Sequence, residues 1–79
     1  MIMKFNVYYG YGTGIENKEI IATFDKIKDA EDFVYNHIKE NQTENYYVIK
    51  TIVNKFFMWY DYGSYFKFYT ILGQKIKTT

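Results

Sequence analysis

Polar and apolar residues alternate along the first segment of the chain, and the period changes twice before its end. From Met3 to Tyr9, Phe5, Val7 and Tyr9 fall on one side and Lys4, Asn6 and Tyr8 on the other, the period of two that a half-buried strand requires. Lys18 to Phe24 repeats the pattern, with Ile20, Ala22 and Phe24 as the expected inner face. Antiparallel pairing of these two segments predicts a hairpin. The period then lengthens. Ile27, Ala30, Phe33, Val34, His37 and Ile38 recur at spacings of three and four, one apolar stripe of a helix running from about Lys26 to Asn41. Asp25 offers an N-cap oxygen, and Asp29, Glu31 and Asp32 put negative charge at the helix's positive end. Lys28, Asp32, Tyr35, Asn36 and Lys39 occupy its outer side, an acidic-rich face read as solvated.

The polar stretch Asn41 to Asn45 ends the helix, and the period returns to two. More than half of the chain's ten Tyr, seven Phe and one Trp fall between Tyr46 and Tyr69, where they are mixed with β-branched residues. Such residues fit a pleated, half-buried surface. Three strands are expected: Tyr46 to Val53, Phe56 to Tyr62 and Tyr65 to Leu72, with turns at Asn54-Lys55 and Gly63-Ser64. Gly73 is expected to end the last strand and Gln74 to Thr79 to fray as a tail. A helix over Tyr46 to Tyr60 is the competing reading. Val48, Ile49, Thr51, Ile52 and Val53 count against it, because β-branched side chains lose χ1 freedom in a helix.

The expected fold is therefore α+β, a single domain over residues 1–79. One antiparallel sheet of about five strands follows the order β-β-α-β-β-β, with one helix on one face. A helix of this length covers only one face of such a sheet, yet alternation puts aromatic residues on both. The face expected to stay open carries Tyr46, Lys50, Trp59, Asp61, Tyr65, Lys67 and Tyr69. Tyr and Trp mixed with Lys suit a binding surface, and an exposed patch of this kind marks an interaction site.

Composition narrows the function classes. The net charge is +1, every basic residue is lysine, and proline and cysteine are absent. Long-range attraction to nucleic acid is weak at this charge, and the guanidinium that grips phosphate in two-point contacts is missing. Disulfides and thiolate metal sites are excluded. His37 cannot hold a metal alone, and Ser64, the one serine, sits in an expected turn. His37 is read as a packed histidine. Spacing places no carboxylate pair, nucleophile–base pair or metal cluster, so neither catalysis nor a cofactor is expected. No apolar run reaches the roughly 20 residues of a membrane span, and no signal-peptide pattern is visible, so a cytoplasmic location is expected.

Three functions remain. The first is a protein-interaction module that uses the open aromatic face, or that pairs with itself there as a homodimer. The Lys, Asn, Ile and Tyr bias is that of an AT-rich gene, and it fits a phage- or mobile-element-encoded inhibitor that covers the functional site of a host or defence protein. The second is a single-stranded nucleic-acid binder, in which the sheet-face aromatics stack bases and Lys50 and Lys67 take phosphates. The third is a small-molecule or nucleotide binder using Tyr9, Gly10, Tyr11, Gly12 and Gly14. That loop lacks the Gly-Lys-Ser/Thr ending and the following helix of a phosphate loop, and it is read first as a hairpin connection.

Overall fold

Each alternating segment forms a strand and the three-four stripe forms a helix in a computed structural model of the chain, which describes residues 2–41, 47–64 and 66–76. The elements are β1 (Ile2–Tyr11), β2 (Glu19–Phe24), α1 (Ile27–Asn41), β3 (Ile49–Asn54), β4 (Phe57–Asp61) and β5 (Lys67–Ile76). They build one five-stranded antiparallel sheet with one helix, in the order β-β-α-β-β-β. In space the strands run β2-β1-β5-β4-β3. The last strand in chain order thus lies at the centre, between β1 and β4.

Register decides which residues meet the helix. Val7 pairs with Ile71 and Tyr9 with Tyr69 across β1 and β5, while Met58 and Tyr60 of β4 pair with those same two residues. With Phe5 and Tyr62 they form a layer under Ala30, Val34 and Ile38 of α1, buried throughout except for the half-buried Tyr9. Those three helix residues sit four apart on one face, and Ile27 and Phe33 flank them. The helix backbone lies over β1, β2 and β5 and does not reach β3 or β4. Asp25, just before the helix, pairs with Lys4 of β1.

Several details depart from the sequence expectation. A β-bulge in the β1–β2 pairing places Ile20 opposite Tyr8, on the face away from the helix. Ile20 is consequently exposed, and Ile21 packs against the core with Ala22 and Phe24. An extra residue in one strand shifts the alternation that follows it. The β3–β4 turn is Lys55-Phe56, one residue later than expected, and the Asn54 side chain accepts a hydrogen bond from the Phe56 amide at 2.8 Å. Gly73 does not end β5, which continues to Ile76 opposite Ile2. Its partner explains why. Gly73 lies opposite Phe5, and a Cβ there would stand 2.7 Å from the Phe5 ring. The ring lies over the bare glycine, so this glycine is a fitted strand residue. Residues 77–79 of the expected tail lie outside the described residues.

Candidate functional site

The sheet face opposite the helix is closed over its centre by the glycine-rich connection. Between Tyr69 and Ile71, both turned to the helix, Thr70 points the other way and is fully buried. What covers it is the β1–β2 loop. Gly12 turns the chain with φ +81°, a conformation that side chains rarely adopt, and its amide donates to the Phe66 carbonyl at 2.9 Å. The Thr70 hydroxyl donates to the Thr13 carbonyl at 3.2 Å and accepts from the Lys18 ammonium at 2.8 Å. The Lys18 stem passes over Gly10, 3.0 Å from where a Cβ would stand. Residues 12–18 therefore form a flap across β5. Burial beneath it lowers the Lys18 pKa from its ordinary 10.5 to about 8.

Beside the flap, this face stays partly open. Trp59 and Phe68 stack edge to face at 5.4 Å between ring centroids, an arrangement that aromatic quadrupoles favour. Phe57, Thr51 and Ile49 extend the strip along β4 and β3. A groove of about 580 Å³, open to solvent, runs between Phe57, Tyr11 at the end of β1 and the flap residues Ile15, Glu16 and Asn17. Asp61 ends the strip, and its carboxylate accepts the Gly63 amide at 2.9 Å.

The residues expected on one open face do not share it. Trp59 and Asp61 are there. Tyr69 is fully buried under the helix, where its hydroxyl shares a 2.5 Å hydrogen bond with His37 Nδ1. Lys67 has the same parity as Tyr69, and its ammonium lies 5.6 Å and 5.4 Å from the ring centroids of Tyr9 and Tyr11. Lys50 is also on the helix side, paired with Glu31 of α1 at 2.6 Å. Tyr46 and Tyr65 lie outside the described residues. The physical reason is register. Alternation sorted β4 and β5 correctly within themselves, but the parity of β3 and β5 relative to β4 depends on their pairing. Of the loop residues, Tyr9 belongs to the core, Gly10 lies under Lys18, Gly12 and Gly14 are in the flap, and Tyr11 edges the groove.

Under the helix the polar groups pair among themselves. Tyr9 and Tyr62 join hydroxyls at 2.6 Å, and one carboxylate oxygen of Glu31 accepts from Tyr60 at 2.8 Å as well as from Lys50. Burial pushes the Tyr60 hydroxyl well above the ordinary tyrosine range, and the bond to Glu31 and its charge push it further. Burial, then the Tyr9 bond, does the same to Tyr62. Burial acts to raise the Glu31 pKa, but the bonds from Lys50 and Tyr60 outweigh it and hold the carboxyl below its usual value. His37 is engaged by Tyr69, and the Ser64 hydroxyl accepts the Phe66 and Lys67 amides at 3.2 and 3.0 Å. Among the described residues no group of three His, Cys, Asp or Glu could hold a metal ion. Nor does any helix among them have the length and apolarity to cross a membrane.

No protein-family model, curated protein or solved structure matches this chain.

Proposed function

We propose that this domain is a protein-interaction module that acts without catalysis, by laying the strip Phe57, Trp59 and Phe68 against a partner protein. One observation carries the reading: the Trp59–Phe68 stack lies on a sheet face that the helix does not cover and the flap covers only in part. Aromatic anchors set in a partly desolvated strip are the residues on which protein contacts concentrate their energy. The groove beside Phe57 offers room for an apolar side chain of the partner, and Glu16 on its rim favours a basic neighbour. The partner class remains the one suggested by composition, a host or defence protein whose functional site this face would cover.

Positions of the lysines weigh against the nucleic-acid alternative. Lys50 and Lys67 both sit on the helix side, away from Trp59 and Phe68, so stacked bases on the strip would lack the phosphate contacts that this mode uses.

The test is affinity capture from lysate of the source cell with tagged wild-type chain and with Trp59→Ala, both nuclease-treated. A protein retained by wild type should bind Trp59→Ala about thirty-fold more weakly, which corresponds to about 2 kcal/mol for an anchor residue. Equal retention by the folded variant, or recovery that vanishes with nuclease, would overturn the reading.

A further inference from the structure

We propose that Lys18 is a site of reversible carbamate formation, its side-chain amine taking up carbon dioxide beneath the flap. The surroundings of this lysine differ from those of the others that the fold holds. Lys4, Lys28 and Lys50 each meet a carboxylate. Lys67 lies over the rings of Tyr9 and Tyr11, whose faces favour a cation. Lys18 is half-buried, and its nitrogen is bonded to the neutral Thr70 hydroxyl at 2.8 Å. Among the described residues it joins no ion pair. The side chains that share its face of the sheet are Tyr8 of β1 and Thr70 of β5, with Trp59 of β4 beyond them. The carboxylates nearest in sequence are turned elsewhere: Glu19 falls opposite Tyr9, on the helix side, and Glu16 lines the groove.

A buried ammonium without a counter-charge loses its proton more easily than an exposed one. With Lys18 titrating at about 8, about a quarter of it is free amine at pH 7.5, against about one part in a thousand at the ordinary 10.5. A desolvated free amine is a nucleophile toward carbonyl carbon. Its lone pair attacks the carbon of carbon dioxide and a C–N bond forms. One C=O electron pair moves to oxygen, and the nitrogen releases a proton to water. The product is an anion, and the Thr70 hydroxyl beside the nitrogen is a donor for it, a charge-assisted bond. Size selects the reagent. Lys18 is not among the residues that line the open groove, and its stem is pressed close over Gly10. A linear molecule of three atoms reaches this nitrogen where a bulky electrophile does not.

Carbon-13 NMR of the folded chain under labelled carbon dioxide tests this, with alkylation of the carbamate and mass spectrometry to place it. At pH 7.5 one carbamate resonance should appear besides that of the terminal α-amine. Its occupancy should exceed that of any exposed lysine at least about thirty-fold, because so much more of the amine is free. Lys18→Arg and Lys18→Met should each abolish it with unchanged circular dichroism, while Lys75→Arg, at an exposed position, leaves it intact. No resonance beyond that of the α-amine would overturn the proposal. So would a resonance that survives both Lys18 variants, or carbamate spread evenly over the exposed lysines. None of these outcomes depends on the Trp59 contact.

Discussion

β5 and β3 are built from similar residues, and the sheet treats them in opposite ways. In β5, Tyr69, Thr70 and Ile71 are successive and fully buried. In β3, Ile-Lys-Thr-Ile-Val-Asn, no residue is. Both segments are rich in the β-branched and aromatic types that favour strands. What separates them is enclosure. β5 has β1 and β4 at its sides, the helix over one face and the flap over the other. Among the described residues β3 has a single neighbour. Composition selects a strand, and topology decides whether that strand is a core or a surface.

Truncating the two strands gives the largest test of this difference. Tyr69→Ala removes a fully buried ring and the His37 partner, and should cost about 3–5 kcal/mol of stability. Ile52→Ala removes an exposed side chain and should stay within about 0.5 kcal/mol. Urea denaturation of both variants measures the gap; similar costs would mean that β3 is as enclosed as β5.

A smaller contrast separates two glycines. Gly73→Ala forces a methyl toward the buried Phe5 ring, and should destabilise by about 1–3 kcal/mol. At Gly14 a Cβ would meet nothing within 4 Å, so Gly14→Ala should leave stability unchanged or raise it by less than about 1 kcal/mol. A larger loss at Gly14 than at Gly73 in thermal unfolding would contradict the placement of β5 against β1.

The third test uses the opposite titration behaviour of the two faces around β5. Lys18 titrates at about 8 in the folded chain, below its ordinary 10.5. The folded state therefore binds fewer protons in that interval, and stability rises with pH across it. Tyr60 and Tyr62 titrate above their ordinary 10.0 when folded. The folded state keeps those protons longer, so from about pH 10 upward they make stability fall. Lys18→Met should flatten the rise and Tyr60→Phe should lessen the fall, read from denaturation at pH 7 to 11. A Lys18→Met profile that still climbs between pH 8 and 10 would mean that the flap does not bury this amine.

Much of this architecture was legible in the chain. The helix stripe Ala30, Val34 and Ile38 and the alternation of Phe5, Val7 and Tyr9 announced both elements and their inner faces. Local period could not show how strands phase against one another. With aromatic residues on both sides of β4 and β5, polarity could not break the tie, and Tyr69 was assigned to the face of Trp59 when pairing puts it with Tyr60. Ile20 was misplaced by a bulge that no residue type signals. Gly73 looked like a stop because the ring that fits it, Phe5, is distant in sequence. The glycines of the loop announced an unusual path without showing its destination, so the flap over Thr70 was invisible. At the candidate site, Trp59 and Asp61 were found from alternation alone. Phe57 falls on the face of Trp59 by alternation alone, although it was not counted among the contact residues, and Phe68 was separated from the strip by the same phasing error.

The central position of β5 also orders events in time. Until residues 67–76 have been synthesised, the sheet's remaining strands form two hairpins, β1–β2 beside the helix and β3–β4, with no strand joining them. The late arrival must slot between two waiting partners, and its pairing with β1 spans most of the chain. Such distant contacts make folding slow compared with local ones. The same circumstance makes the finished molecule all-or-none: once β5 slips out, the two hairpins lose their shared ladder together, and neither retains the layer that gave it a stable inside.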